Sequence, residues 1–377
     1  MRLLFLMQGR AVADHPGYDD ACLRLQAEGV LTAYRALPYY GLADSAGWDG
    51  VWREAVRAAR DMEADAVFLQ YFHGPVPDPA GFIGALRQLP SRPLVAVSSG
   101  DPFGRFTGRL PASFRTAARL ADVTFLTEMG GLARDLARRG APRVTLMPNG
   151  YCQARFDEPF DTADYRPEYD VVFIGNRIHV RNPTRYLFLS AWQRKRQVAA
   201  LQRRYGRRFA LFGAGWEGWP SARGPIPYAQ QHAVYRKARV IVGAFPGGHM
   251  DYYMSDRSVT AIRSGIPFID VRVPRVDRIF GEGRHWFLHR GMGDLLATCD
   301  RLLEWSDQER LDFGQRAAGE IAARHTQYHR MRAMAAILRD LREARLAGRA
   351  PPPPHLDYFL PEVNLREEMG YATAGWS

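Results

Sequence analysis

The stretch DVVFIG, Asp170–Gly175, sets four apolar residues between an aspartate and a glycine, and Asn176 and Arg177 follow it. A short apolar run that stops at glycine reads as a strand buried on both faces of a parallel sheet. Its place in the chain decides the fold, because it restarts a pattern that has already run once. Upstream, RLLFLMQG (Arg2–Gly9), AVFLQYF (Ala66–Phe72), PLVAVS (Pro93–Ser98), Val123–Thr127 and Val144–Pro148 read as strands. Helical segments separate them; Trp48–Glu63 carries Val51, Trp52, Ala55, Val56 and Ala59 along one stripe. Asn149–Glu168 is polar and aperiodic and reads as a linker. Beyond DVVFIG come RFALFG (Arg208–Gly213), VIVGAF (Val240–Phe245) and Pro267–Val271, again with helices between. This alternation predicts an α/β protein of two Rossmann-like domains, residues 1–160 and 165–340, with 341–377 crossing back to the first. The carboxyl ends of both sets of strands would line the cleft between them, where open parallel sheets bind ligands.

Composition removes several function classes. Of 377 residues, 46% are hydrophobic and 12% aromatic, enough for packed cores and unlike a disordered chain. The three cysteines, Cys22, Cys152 and Cys299, are odd in number and form no CxxC pair. They suit neither a disulfide framework nor a zinc knuckle, and fit a reducing compartment. No apolar run reaches the ~20 residues a membrane span needs. The opening MRLLFLMQGRAVADHPGYDD has no long apolar core or small-residue cleavage site, so the expectation is a cytoplasmic protein. Net charge is +11, and all the basic residues except Lys195 and Lys237 are arginines. Arginine forks bind phosphate, on a nucleotide or along a nucleic-acid backbone. Charge alone does not choose between them.

Tyr252–Pro267, YYMSDRSVTAIRSGIP, resembles the donor-site segment of GT-B glycosyltransferases, closest to the spore-maturation CgeB-like group and the GT4-type enzymes. FIGNR (Phe173–Arg177) resembles the opening strand and loop of that family's second domain, and FGAGW (Phe212–Trp216) its next strand end. Pro227, Tyr228, Tyr235, Ala238 and Arg239 resemble the element between. The resemblance implies a GT-B fold whose second domain binds a nucleotide sugar as co-substrate. It implies transfer to a hydroxyl or amine of a small-molecule acceptor, with no metal, no other cofactor and no nucleic-acid partner.

The chemistry of a departing diphosphate explains the residue types. A helix start offers unpaired N–H groups and the positive end of a dipole. Ser255–Asp256 suits the capping position, and Arg257 falls in the first turn. Gly175, Asn176 and Arg177, with Arg181 and Arg185 beyond, form a second basic loop. Gly213 and Gly215 are read as admitting the nucleotide closely, and Tyr228, His249 and Tyr253 as further donor contacts. GT4-type enzymes place two glutamates in this segment; by register Tyr252 and Thr260 stand there, and Thr260 is expected to bond a ribose hydroxyl. Retention or inversion therefore stays open.

For the acceptor side the candidate bases are Asp101 and His73, both at strand ends, with His15 a lone loop histidine. Tyr39, Tyr40, Tyr71, Phe72, Phe103 and Phe106 are candidate acceptor-pocket rings, with one of Tyr71 and Phe72 assigned to the core by alternation. His325 and His329 sit i, i+4 and read as a solvated face rather than a metal pair. Two other functions share these features: a GT-B-fold nucleotide-sugar epimerase, and a non-enzymatic arginine-rich nucleic-acid binder.

Overall fold

A computed structural model describes residues 1–72, 76–101, 103, 109–156, 160–184, 188–243, 250–364 and 368. The first domain alternates β1 (Arg2–Met7), α1 (Pro16–Ala27), β2 (Ala33–Pro38), α2 (Tyr39–Asp61), β3 (Ala66–Leu69) and α3 (Ala80–Arg87). It continues with β4 (Leu94–Ser99), α4 (Ala112–Leu120), β5 (Val123–Leu126), α5 (Gly131–Arg138) and β6 (Val144–Leu146). The strands form one parallel sheet in the order β2-β1-β3-β4-β5-β6. Leu3 to Met7 are all buried, as a strand covered on both faces requires.

A short helix, α6 (Gln153–Phe156), lies in the connection to the second domain. There β7 (Tyr169–Ile174), α7 (Phe188–Tyr205), β8 (Phe209–Phe212), α8 (Gln231–Tyr235), β9 (Ala238–Val242), α9 (Asp256–Arg263) and β10 (Phe268–Val271) follow in turn. Then come β11 (Phe287–His289), α10 (Met292–Glu304), α11 (Asp307–Arg324) and α12 (Gln327–Leu346). The second sheet is also parallel, ordered β11-β10-β9-β7-β8.

The return to the first domain begins with α12, earlier than the expected residue 341. Thr326 stops α11 from running on, because its hydroxyl caps α12 by accepting from the His329 amide at 3.4 Å. Arg24 of α1 then stacks over the Tyr328 ring at 3.8 Å, and Arg342 pairs with Asp65 at 2.8 Å. At the crossing point the outgoing and returning chains bond each other: Tyr151 N donates to the His325 carbonyl at 2.8 Å and Gln327 N to the Tyr151 carbonyl at 2.9 Å.

Two local readings change, and one strand is added. Helix α2 starts at Tyr39 rather than Trp48 and kinks at Gly47, whose φ is +66°. Strand β11 is too short to show periodicity. His325 is fully buried, not solvated: it accepts from Arg330 Nη2 at 2.9 Å and packs on Phe280. Among the described residues, no group of three potential ligands is placed to hold a metal, and no helix is long and apolar enough to cross a membrane.

His232 links the domain connection to α9. It is buried, donates from Nε2 to the Thr260 carbonyl at 3.0 Å and stacks on Phe156. Burial, and then the Arg236 charge, push its pKa down to about 3. Below the ordinary histidine pKa the unfolded chain therefore binds a proton here that the folded chain refuses, so stability falls as pH drops. Between pH 7.5 and 5 this one group should remove about 2 kcal/mol. His232→Gln, which keeps a donor but does not titrate, should lose that much less over the same range in urea unfolding; an unchanged slope would disprove the assignment.

Candidate functional site

The site grows from the start of α9. Ser255 is extended and its Oγ accepts from the Ser258 amide at 3.2 Å, satisfying one of the N–H groups a helix start leaves over. Ser258 Oγ donates to Asp270 Oδ2 at 2.9 Å, which ties the helix start to the carboxyl end of β10. Arg257 lines a pocket with Ile174 from the end of β7, Val242 from the end of β9, and Asp270. Arg194, from α7, lines the same pocket and donates to the Asn176 carbonyl at 2.7 Å. Burial, and then the Arg257 charge, push the Arg194 pKa down to about 10. Burial opposes the Arg257 charge as well, but Asp256, Tyr235, Tyr253 and Asp270 outweigh it and hold its pKa above the ordinary value. Two guanidinium groups thus share a pocket in which Asp270 is the one carboxylate among the described residues.

The basic loop after β7 is braced from beneath. Trp216 Nε1 donates to the Gly175 carbonyl at 2.7 Å, Ala214 N to Asn176 Oδ1 at 2.9 Å and Arg177 N to the Ala214 carbonyl at 2.9 Å. Asn176 therefore spends its side-chain oxygen on the β8 loop. Gly213 (φ +134°) and Gly215 (φ +83°) are explained by this brace: a Cβ on Gly213 would lie 2.4 Å from the Gly175 carbonyl oxygen, and one on Gly215 2.8 Å from His179 Nε2. At both glycines, protein lies where a side chain would point. Arg177 is half-buried with its guanidinium 5.9 Å from the Trp216 ring, and Arg181 is exposed.

Across the cleft, His15, Tyr18 and Tyr71 of the first domain meet Tyr228 and Asp256 of the second around a cavity of about 220 Å³. Asp14 and Pro16 beside His15, and Asn149, Gly150, Cys152, Arg155 and Gln327 from the crossing, also line its wall. Tyr228 Oη donates to Asp256 Oδ2 at 3.2 Å, and the Tyr18 and Tyr71 hydroxyls are 2.9 Å apart. Burial raises the Tyr71 pKa well above 10, and the charges of Asp256 and Asp101 add to it, so carboxylates from both domains flank this ring. Phe72 is wholly buried, so Tyr71 is the ring of the two that faces the cavity. The His15 pKa is lowered by burial and then by Arg155, which keeps the imidazole neutral. Asp101 itself is exposed beyond the end of β4, and its charge also reaches Tyr253 across the cleft.

Several expected contacts fall elsewhere. Thr260 is 1% exposed and its Oγ1 donates back to the Asp256 carbonyl at 2.9 Å, so it does not present a hydroxyl to a ribose. Position i+4 from Asp256 offers that carbonyl as the nearest acceptor. His73, His249, Arg185 and Phe106 lie outside the described residues. Arg194 carried no sequence signal, since it sits in a basic stretch of α7. His15 stands out once its neighbours, distant in sequence, are assembled round the cavity. The segment before α9 is held by the first domain: Asn149 Nδ2 donates to the Met254 carbonyl at 3.0 Å and Met129 N to the Asp251 carbonyl at 3.0 Å.

Two parallel sheets whose strand ends meet around a basic pocket and a polar cavity can be compared with known proteins. Residues 193–336 match a family model described as glycosyl transferase-like. No curated protein matches the chain. Among solved structures, Anabaena HepE in complex with UDP and glucose is similar over 90% of this chain and 99% of its own, at 12% identity and a TM-score of 0.56. The E. coli trehalose-6-phosphate protein bound with UDP-2-fluoro glucose matches over 91% and 99%, at 11% identity and 0.55. Sucrose-phosphate synthase from Thermosynechococcus elongatus matches over 92% and 100%, at 12% identity and 0.52. The fold is GT-B. The family match spans Arg194, Tyr228, Ser255 and Arg257, the second-domain half of the GT-B cleft.

The glycine brace makes a prediction. Gly213→Ala should destabilise the ligand-free protein by roughly 2–3 kcal/mol, because the left-handed backbone and the Gly175 carbonyl both oppose a Cβ. Chemical unfolding without ligand tests this. A stable variant that merely lost nucleotide affinity would return the glycine to the binding site.

Proposed function

We propose that this GT-B protein transfers a glycosyl group from a nucleoside-diphosphate sugar to a hydroxyl or amine of a small-molecule acceptor, without a metal ion. The observation that carries the reading is the pairing of Arg194 and Arg257 at the start of α9, where a diphosphate would relieve the repulsion between them. As the donor breaks, negative charge grows on the leaving diphosphate. Two preset guanidinium groups and the N–H groups of a capped helix stabilise that charge without rearranging. Arg177 supports the same group from the β7 loop, with Tyr253 and Asp256 beside it. UDP in the Anabaena structure and UDP-2-fluoro glucose in the E. coli one make a uridine donor the first to test.

On the acceptor side, Asp101 orients or deprotonates the incoming group and neutral His15 lines its path. His73 is the alternative base, and we place the chain in the CgeB-like or GT4-type group. An epimerase would need a carboxylate against the donor sugar; UDP release that depends on an added acceptor separates the two.

Arg257→Ala should weaken UDP binding by about 1.5–3 kcal/mol, roughly ten- to a hundredfold, with the fold intact. Calorimetry showing affinity within twofold of wild type would remove Arg257 from the site. Transfer should persist in EDTA; activity lost there and restored by magnesium or manganese would overturn the metal-free reading.

The roles of Asp101 and His15 separate by pH. Asp101→Asn should leave UDP affinity and Tm unchanged while kcat falls at least a hundredfold, the scale of general-base catalysis. If instead His15 takes the proton, kcat/KM should rise along an acid limb below the ordinary histidine range, because its pKa is depressed. Arg155→Met, removing the neighbouring charge, should then move that limb to higher pH. An active Asp101→Asn with an unshifted profile in Arg155→Met would exclude both residues.

A further inference from the structure

A second cavity opens at the β10–β11 edge of the second domain, beside the arginine pocket. It measures about 250 Å³ and is lined by Trp192, Arg194, Arg196, His289 and Arg290, among others. A neighbouring cavity of about 470 Å³ shares Gln193, Val271, His289 and Arg290 with it and adds Arg272 and Arg275. Neither lining contains an aspartate or glutamate among the described residues. Arg272 is paired with Glu282, and Arg275 with Glu368 at 3.3 Å. Arg196 and Arg290 form no ion pair among the described residues, and Arg196 lies over Trp192, its carbon 4.5 Å from the ring centre. Trp192 is 47% exposed, unusual for so large an apolar ring.

His289 specifies the ligand further. It is 5% exposed, and its Nδ1 lies 3.2 Å from the Gly291 carbonyl, an acceptor only, so Nδ1 carries the proton. Burial lowers the pKa and keeps the ring neutral. Nε2 is then a bare acceptor, buried and without a partner among the described residues, on a side chain that lines the cavity. A buried acceptor of this kind calls for a donor such as a hydroxyl. Taken together, the walls ask for an oxyanion, a hydroxyl donor and an apolar face in one small molecule.

We infer that this double cavity binds an anionic sugar, its phosphate or carboxylate held by Arg290 and Arg196, a hydroxyl donating to His289 Nε2 and the sugar ring lying against Trp192. The larger adjoining cavity gives room for a second sugar unit. Arg194 stands between this site and the Arg257 pocket, so the anionic sugar sits next to the diphosphate without replacing it.

Calorimetry with the full chain saturated in UDP tests this, using glucose 6-phosphate, glucuronate and glucose as probes. At least one anionic probe should bind ten times or more tightly than glucose, and the tighter of the two identifies the anion. Arg290→Ala and Trp192→Ala, both at exposed positions, should each weaken it at least tenfold while UDP affinity stays unchanged. The inference fails if neither anion exceeds glucose, if binding survives both substitutions, or if UDP displaces the probe. Because UDP affinity is measured in the same samples, failure here leaves the donor site separately judged.

Discussion

Arg330 is the residue on which the relation of the two domains depends. It is 1% exposed, and its guanidinium bonds backbone: Nε donates to the Pro148 carbonyl at 2.8 Å and Nη1 to the Arg324 carbonyl at 3.1 Å. Pro148 is where the chain leaves the first sheet, and Arg324 is where α11 ends before the chain returns. Burial pushes the Arg330 pKa down to about 10, a measure of what desolvation costs, and carbonyl acceptors with the Tyr358 ring offset it. A charge so buried tolerates few arrangements of its partners, so the crossing of the two chains is held to one spacing. Gly150 lies inside that crossing, where a Cβ would come 2.9 Å from the Thr326 carbonyl oxygen. The chains are as close as backbone allows.

The cleft inherits its width from this crossing. Asn149, Gly150 and Gln327 belong both to the crossing and to the wall of the cavity between the domains. Asn149 also holds the Met254 carbonyl, one residue before the cap of α9. The helix start that faces the arginine pocket is therefore positioned by the first domain as well as by its own. Tyr252 shows the constraint locally: its φ is +65°, rare for a tyrosine, and its amide donates to the Pro274 carbonyl at 2.9 Å. Presentation of α9 is thus tied to the crossing by the Asn149 side chain, and to the first domain by the Met129–Asp251 backbone bond.

Much of the architecture was legible because buried parallel strands are continuous apolar runs, as in β1, β4 and β7, and their spacing leaves room for one helix each. Where the pattern is mixed, sequence and structure part. Gly41, Gly47 and Gly50 interrupt the helical stripe of α2, and only tertiary packing of Tyr39 carries the helix back to its start. At the site, Ser255 and Arg257 could be read because capping is local. Gly213 and Gly215 could not be settled locally, since a positive φ says that space is tight and not whether protein or ligand fills it. Glu128 illustrates a third kind of gap: its buried carboxylate accepts from the Leu132 amide at 3.0 Å and caps α5, and burial raises its pKa to about 7. Nothing in TEMGG distinguishes such a glutamate from one on the surface.

The arginine excess, ambiguous as composition, becomes specific in place. Most of these side chains are exposed or paired at the surface, where an ion pair contributes little. Arg330 serves the crossing, and Arg310 serves a turn by donating to the Leu302 carbonyl at 2.9 Å. Arg194 differs from both, because the largest charge effect on it comes from another arginine. Folding alone gives little reason to set a half-buried arginine against a buried one, and the repulsion is a cost that Arg194 carries in the ligand-free protein. A dianion entering between them gains from both charges and also removes that cost. Lysine at either position would bring a point charge without the planar fork that two phosphate oxygens match. The same residue type that holds the domains in register thus also prepares one pocket of the second domain to favour negative charge.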